Sequence, residues 1–282
     1  MSDPGSFSSS QPLVSVVMGV WNPHPLHFPE VVQSILAQTH QNLQIILIED
    51  PSERDGREMI RDIQDERLIH IRNVDRTSLP DQLNQGLRLA EGELIARGDA
   101  DDIWEPHRVA TQLRIFQEDP ELVVLGSTLT VIDDRGNPLG YRDYPRSHEA
   151  IVKAMRRYNP IAQPVVMFRR EEVLRLGGYQ KEFFVEDYDL WCRLALAGAK
   201  FANYPEPLLR YRIHPEGMKS TRLKKQLGET IRMKEAHFRG QLTTADQVRL
   251  MAERTLLWLP SRWVLWLFGR MTFQKTLPGP NA

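Results

Sequence analysis

Within four residues the chain places Asp99, Asp101 and Asp102. Carboxylates this close repel one another unless a cation holds them. The economical cation is a hard divalent ion, Mg2+ or Mn2+, bound through one or two protein carboxylates plus phosphate oxygens of a substrate. The rival reading is a solvated acidic turn that caps the next helix. A second acidic pair, Glu186 and Asp187, opens a later helical segment carrying Leu190, Leu194 and Ala197. One cluster suited to a cation and a distant pair suited to accepting a proton is what a hydroxyl attack with a departing phosphate requires. The rival for Asp187 is a structural carboxylate accepting backbone N–H groups at a helix N-terminus.

The elements that must position these acids can be read from periodicity. An apolar, valine-rich run over 13–20 has the look of a strand buried on both faces and ends in Trp21-Asn22-Pro23, a turn signal. Pro29 can open a helix with Val31, Val32, Ile35 and Leu36 on one side. A second strand over 43–48 runs into Glu49-Asp50-Pro51-Ser52, and a weakly periodic helix is expected over 54–63. A third strand covers 68–71. Pro80 starts a helix with Leu83, Leu87 and Ala90 inward, which Gly92 should stop at the C′ position. The acidic loop follows a strand over 94–96, where open α/β sheets place ligands. If it stays extended, Asp99 and Asp101 project the same way. Pro106 suits the first position of the following helix, which carries Val109, Leu113 and Phe116. Strand and helix thus alternate four times, which argues for an α/β, mostly parallel sheet with helices on both faces.

The second half changes character. Strands are expected over 121–132, 164–168, 200–204 and 208–211, with a hairpin turn over 133–138 and a break at Gly177-Gly178. This is an α+β half built onto the edge of the parallel half. Residues 1–12 read as a flexible tail without the basic and apolar regions of a signal peptide. The single cysteine, Cys192, excludes an internal disulfide and fits cytoplasmic residence. A net charge of −1 gives no field for nucleic acid.

Several segments, in order, resemble family 2 glycosyltransferases. They are 14–22, 34–39, Leu83-Asn84-Gln85-Gly86-Leu87 with 90–93, Asp99-Ala100-Asp101-Asp102 with Pro106, 186–191, and 205–214. The resemblance spans 13–216 and implies a GT-A fold, Rossmann-like, with a nucleotide-binding half over 13–104 and an acceptor half over 105–216. It implies transfer of a sugar, usually with inversion, from a nucleotide-sugar donor to a glycan or lipid-linked acceptor. Uridine is the expected base, with thymidine and guanosine as alternatives. It places Gly19, Val20, Trp21, Asn22, Asp50 and Asp99 at the nucleotide, and Asp101, Asp102 and His214 at the metal. Asp187 becomes the base. Glu186, Gly178 and Arg212 fall on the acceptor or diphosphate side. The chain departs from the family at Glu49 and Pro51, where Asp and Gly are usual, at Gly19 and Trp21, and at Gln163, where many relatives carry histidine. Two rival functions are a nucleotidyltransferase, which would want a basic Gly-rich loop after the first strand, and a nucleotide-sugar-binding protein without turnover.

Beyond residue 216 the composition shifts to a basic, Trp-rich helical extension. Residues 222–282 hold eleven Lys and Arg against four acids. The apolar run over 256–268 is interrupted by Pro260 and Arg262, too short and broken to cross a bilayer, which takes about 20 residues. Tryptophans flanked by arginines suit a headgroup layer, so 256–273 is expected to attach to an anionic membrane on its inner face. The rival is a helical hairpin packed on protein. Oligomeric state is left open.

Overall fold

The computed structural model describes residues 11–213 and 220–259. His214 and residues 260–273 of the Trp-rich segment lie outside the described residues. The parallel half consists of β1 (Val14–Trp21), β2 (Leu43–Asp50), β3 (Leu68–Arg72) and β4 (Leu94–Arg97). These pair in the spatial order β3-β2-β1-β4, all parallel. Successive side chains of β1 explain the double burial. Val14, Val16, Met18 and Val20 enter one core with Phe28, Val31, Val32 and Ile35 of α1 (His27–Leu36). Val17 enters the other core with Leu83 and Leu87 of α3 (Leu79–Leu89). Period-two alternation with apolar residues at both phases is the pattern of a strand covered by helices on each face.

The second half continues the same sheet. After β5 (Ile103–Trp104) and α4 (Arg108–Glu118) come β6 (Leu122–Ile132), β7 (Pro138–Arg142), β8 (Met167–Arg169) and β9 (Lys200–Arg212). Short β8 runs antiparallel between β4 and β6, and β9 lies parallel to β6. Helices α5 (His148–Ala154), α6 (Arg170–Arg175) and α7 (Glu186–Leu196) fill the spaces, followed by α8 (Ser220–Phe238) and α9 (Thr244–Trp258). No helix among the described residues is long and apolar enough to cross a membrane.

Five local expectations are corrected. The helix expected over 54–63 is one turn, α2 (Gly56–Met59), capped by the Asp55 side chain. Gly92 has no left-handed φ. It is needed because a Cβ there would lie 2.7 Å from the Ser15 nitrogen and 2.8 Å from the Leu13 oxygen. Pro106 precedes its helix, because residues 103 and 104 first pair with β9. The segment expected as a strand over 164–168 begins as a 3-10 turn, Gln163–Val165, since Pro164 has no ladder donor. The strands expected over 200–204 and 208–211 are one strand, β9, whose register shifts between Tyr204 and Pro207. Two prolines there remove ladder donors without ending the strand.

Candidate active site

The C-terminal ends of β1 and β2 lie side by side, with Trp21 opposite Asp50. Above them α3 presses close. A Cβ on Gly19 would come within 2.7 Å of Leu79, and Gln82 donates to the Val20 carbonyl at 2.9 Å. Trp21 is 51% exposed, with the Arg76 guanidinium 4.1 Å from its ring centre. Asn22 takes φ +49°, its N–H donates to Ser52 Oγ at 3.1 Å, and its Oδ1 is buried with no partner. Asp50 is buried and accepts from Asn73 Nδ2 at 2.8 Å and from the Thr77 N–H at 2.7 Å. A half-exposed aromatic ring beside a carboxylate and an amide is a surface for a flat, hydrogen-bonding base. Glu49, where the family has Asp, is wholly buried and accepts from the Gly56 N–H at 2.8 Å and His70 Nε2 at 2.7 Å. It ties the loop after β2 to β3.

At the end of β4 the chain turns through Ala100 and Asp101. The condition for Asp99 and Asp101 to share a direction, an extended loop, is therefore not met. Asp99 pairs with Arg97 Nη1 at 2.6 Å. Asp102 is fully buried: one oxygen accepts the Arg212 N–H at 2.8 Å and the other has no partner. Burial, then the charges of Asp101 and Asp99, hold its carboxyl well above the usual carboxylate range. Arg212 closes this turn. Its guanidinium donates to the carbonyls of Asp101 (2.9 Å), Asp133 (3.3 Å) and Asp134 (2.9 Å) and to Glu30 Oε2 (2.8 Å). Placed this way, Arg212 binds the acidic turn to β9 and the β6–β7 hairpin. Trp104 packs beneath Gly98, with the Arg108 guanidinium 3.6 Å above its ring. Among the described residues no three acidic, histidine or cysteine side chains form a ready-made metal cage. The all-oxygen turn with one stranded carboxylate oxygen instead fits a hard cation completed by phosphate oxygens.

The second acidic pair occupies the first turn of α7, whose N-terminus has no side-chain cap. Asp187 Oδ2 accepts from Asn159 Nδ2 at 2.7 Å. Burial raises the Asp187 carboxyl, opposed by the Tyr188 N–H and Asn159. Burial and the charge of Asp187 push Glu186 up to about 7. Gly178, at φ +70°, would put a Cβ 2.3 Å from Asn84 Oδ1, the atom that accepts the Tyr179 N–H. It shapes the turn before α7.

Arg97 escaped the sequence reading. It is 1% exposed, its charge acts on Asp99, Glu186 and Asp187, and its Nε and Nη2 are buried with no partner. One buried cation thus acts on both acidic clusters. The only sequence signal was an arginine ending an otherwise apolar strand, Leu94-Ile-Ala-Arg97.

The profile of Glycosyl transferase family 2 matches residues 15–177. The chain belongs to that family. An uncharacterized glycosyltransferase of Methanocaldococcus jannaschii is 30% identical over 77% of this chain and 76% of its own length. The O-antigen biosynthesis glycosyltransferase WbnJ of Escherichia coli is 28% identical over 75% and 84%. An E. coli UDP-Gal:alpha-D-GlcNAc-diphosphoundecaprenol beta-1,3-galactosyltransferase is 27% identical over 75% and 78%. Among solved structures, the mannosyltransferase PcManGT of Pyrobaculum calidifontis, in complex with GDP-Man and Mn2+, superposes with a TM-score of 0.63 at 16% identity, covering 91% of this chain and 73% of its own. S. aureus TarS 1-349 in complex with UDP gives 0.61 at 15% identity, covering 85% and 70%. The fold is therefore GT-A, and this family 2 member is a glycosyltransferase. Family membership displaces the nucleotidyltransferase reading.

Proposed function

We propose that this enzyme is a metal-dependent, inverting glycosyltransferase that moves a sugar from a nucleoside diphosphate donor, UDP-linked by preference, to a hydroxyl of a growing cell-surface glycan. The observation that carries the reading is that buried Arg97, paired with Asp99 at 2.6 Å, also acts by its charge on the Glu186–Asp187 pair. Trp21, Asn22 and Asp50, with the backbone of Gly19 and Val20, receive the base, and Asp99 the ribose. Asp101 and Asp102, joined by His214, hold Mg2+ or Mn2+ on the diphosphate. When bound, the ion supplies positive charge against the departing phosphate oxygens. Asp187 takes the acceptor hydroxyl's proton as the new C–O bond forms and the bond to the nucleoside diphosphate breaks. A single displacement of this kind inverts the anomeric carbon. Glu186 and Gly178 shape the acceptor side, and Arg212 keeps the metal turn closed. The relatives named for UDP-Gal transfer and O-antigen synthesis support the donor and the glycan class.

The pH profile tests the base. Asp187 must be ionised, and burial raises its carboxyl, so activity should rise with pH along a limb above the ordinary carboxylate range. An acid limb at the ordinary value of about 4 would detach Asp187 from catalysis. The same kind of shift acts on stability. Glu186 has a folded value raised from 4.5 to about 7, so its contribution is full below 4.5 and is lost as pH rises toward 7.

Residues 13–216 would form the catalytic domain and 217–282 a basic extension that rests the enzyme on the inner membrane face. On α9, Val248, Met251 and Trp258 share a face and are 61%, 65% and 90% exposed, leading directly into the Trp-rich segment. The opposite side of the extension is packed: Met233 and Phe238 join the core around Trp191, and His237 bonds Asp189 at 2.7 Å. Co-sedimentation with vesicles containing phosphatidylglycerol, lost in high salt and absent with neutral lipid, is the expected result. Equal sedimentation with neither lipid would leave the exposed face to a protein partner.

A further inference from the structure

The Asp187 carboxylate is met by a side chain from another segment: Asn159 Nδ2 donates to its Oδ2 at 2.7 Å. Asn159 lies in the loop 155–162, between α5 and the 3-10 turn. Its amide is fixed at both ends, because Oδ1 accepts the Ile161 N–H at 3.2 Å. That second bond turns the NH2 toward Asp187, so the side chain meets the carboxylate as a donor. A donor to the charged form stabilises it, and this bond opposes the burial that raises the Asp187 carboxyl.

A loop that carries such a donor must itself be held. The Tyr188 hydroxyl donates to the Met155 carbonyl at 2.5 Å, and Asn203 Nδ2 of β9 donates to the Pro160 carbonyl at 3.0 Å. A third hold comes from the C-terminal extension. Lys234 of α8 donates to the Arg157 carbonyl and pairs with Glu253 of α9 at 3.0 Å, while Arg157 pairs with Asp246 at 3.6 Å. Lys234 is 2% exposed, and lysine is almost never buried this far unless paired. One turn further along α8, His237 bonds Asp189, which also accepts from Arg193 at 2.8 Å. Arg193 reaches the Leu176 and Gly178 carbonyls at 3.0 and 2.8 Å, tying α7 to the turn before it. Two side chains three positions apart on one helix therefore hold the two segments that meet at the Asn159–Asp187 bond.

We propose that Asn159 is a positioning residue for Asp187 and that Lys234 of α8 is the clamp that keeps it there, which makes the C-terminal extension part of the framework of the active site. The assignment rests on the base role given to Asp187 above. With one oxygen tied to Asn159, the carboxylate keeps a single orientation toward the attacking hydroxyl. Asp187 shares its surroundings with Arg97 of β4, with Glu186, Tyr188 and Cys192 of α7, with Tyr144 after β7 and with Tyr179 before α7. Asn159 carries no charge, so replacing it adds none to that set and removes only the hydrogen bond.

The test uses the full-length chain with 13C-carboxyl-labelled aspartate. The Asp187 signal is assigned by its disappearance in Asp187→Asn, and its titration needs no substrate. Asn159→Leu, similar in size but without the donor, should move that titration up by about one pH unit, the worth of one hydrogen bond to a charged group. Lys234→Met combined with Glu253→Gln, which leaves no buried carboxylate unpaired, should move it up by less. Leu250→Ala opens the α8–α9 core without touching the clamp, and should lower Tm while leaving the titration in place. A titration unmoved by Asn159→Leu would overturn the positioning role. A titration moved by Leu250→Ala as far as by the Lys234 variant would overturn the clamp.

Turnover separates the proposal from the reading on which it rests. The assay is Mn2+-dependent hydrolysis of UDP-galactose, UDP-glucose or GDP-mannose, whichever is fastest, with water in place of the acceptor. Asn159→Leu should lower kcat about tenfold on the acid limb, and by less than about twofold when Asp187 is already Asn. Equal losses in the two backgrounds would show that Asn159 does not act through Asp187. Unchanged hydrolysis by Asp187→Asn, with the titration still moved by Asn159→Leu, would instead bring down the base reading and leave the hydrogen bond standing.

Discussion

Asp187→Asn is expected to lower kcat about 10³-fold, within the range removed with a positioned general base, while donor affinity stays within about twofold of wild type. The amide has the shape of the carboxylate and can still accept the Asn159 hydrogen bond, so the first turn of α7 keeps its tie to the loop after α5. What it lacks is a site for the proton of the attacking hydroxyl. The expected signature is thus a fall in kcat with little change in the donor KM. Steady-state kinetics with nucleoside diphosphate titration on the same protein separates the two quantities. Turnover unchanged by the substitution would remove Asp187 from the base role. Glu186, held at about 7 one residue earlier, would then be the group to replace.

The second large effect concerns the metal turn. Wild type with Mn2+ and the matching nucleoside diphosphate at about 100 times Kd should gain about 2.7 kcal/mol, or a Tm rise of about 5 °C for a chain of this size. Asp101→Ala should abolish the rise, as should chelation of the metal. Asp101 is half-exposed at the tip of the turn, so its loss removes a ligand without opening the core. Asp102 is a poorer probe, because its buried oxygen also holds the Arg212 N–H and its removal would loosen β9. A full nucleotide shift in Asp101→Ala would mean that the cation is bound elsewhere or is not needed for donor binding.

The order of strands and helices in the parallel half could be read from sequence because each is a local pattern. Valines at both phases of β1 report burial on two faces, and the period of Leu83 and Leu87 reports an inward helix face. The two acidic clusters were equally legible, since loops after strands and first turns of helices are local positions that tolerate charge. Element boundaries were less so. Pro205 and Pro207 read as a strand break, yet β6 holds β9 together across them through a long-range ladder. Pro106 read as a helix start, yet the pairing of Trp104 with Leu209 delays the helix.

Only the tertiary structure decided how the acids are used. Arg97 becomes the shared counter-ion because β4 delivers it where its charge reaches segments more than 80 residues apart in sequence, a proximity no local pattern encodes. Asp102 differs from its neighbours because it is fully buried where β9 brings the Arg212 N–H to it, leaving one oxygen without a protein donor. Arg212, one of several charged residues on its strand by sequence, turns inward because Glu30 and two hairpin carbonyls meet it there. Residue type and spacing determined which groups could do the chemistry. Burial and long-range contact, which set solvation and charge balance, decided their protonation and their partners.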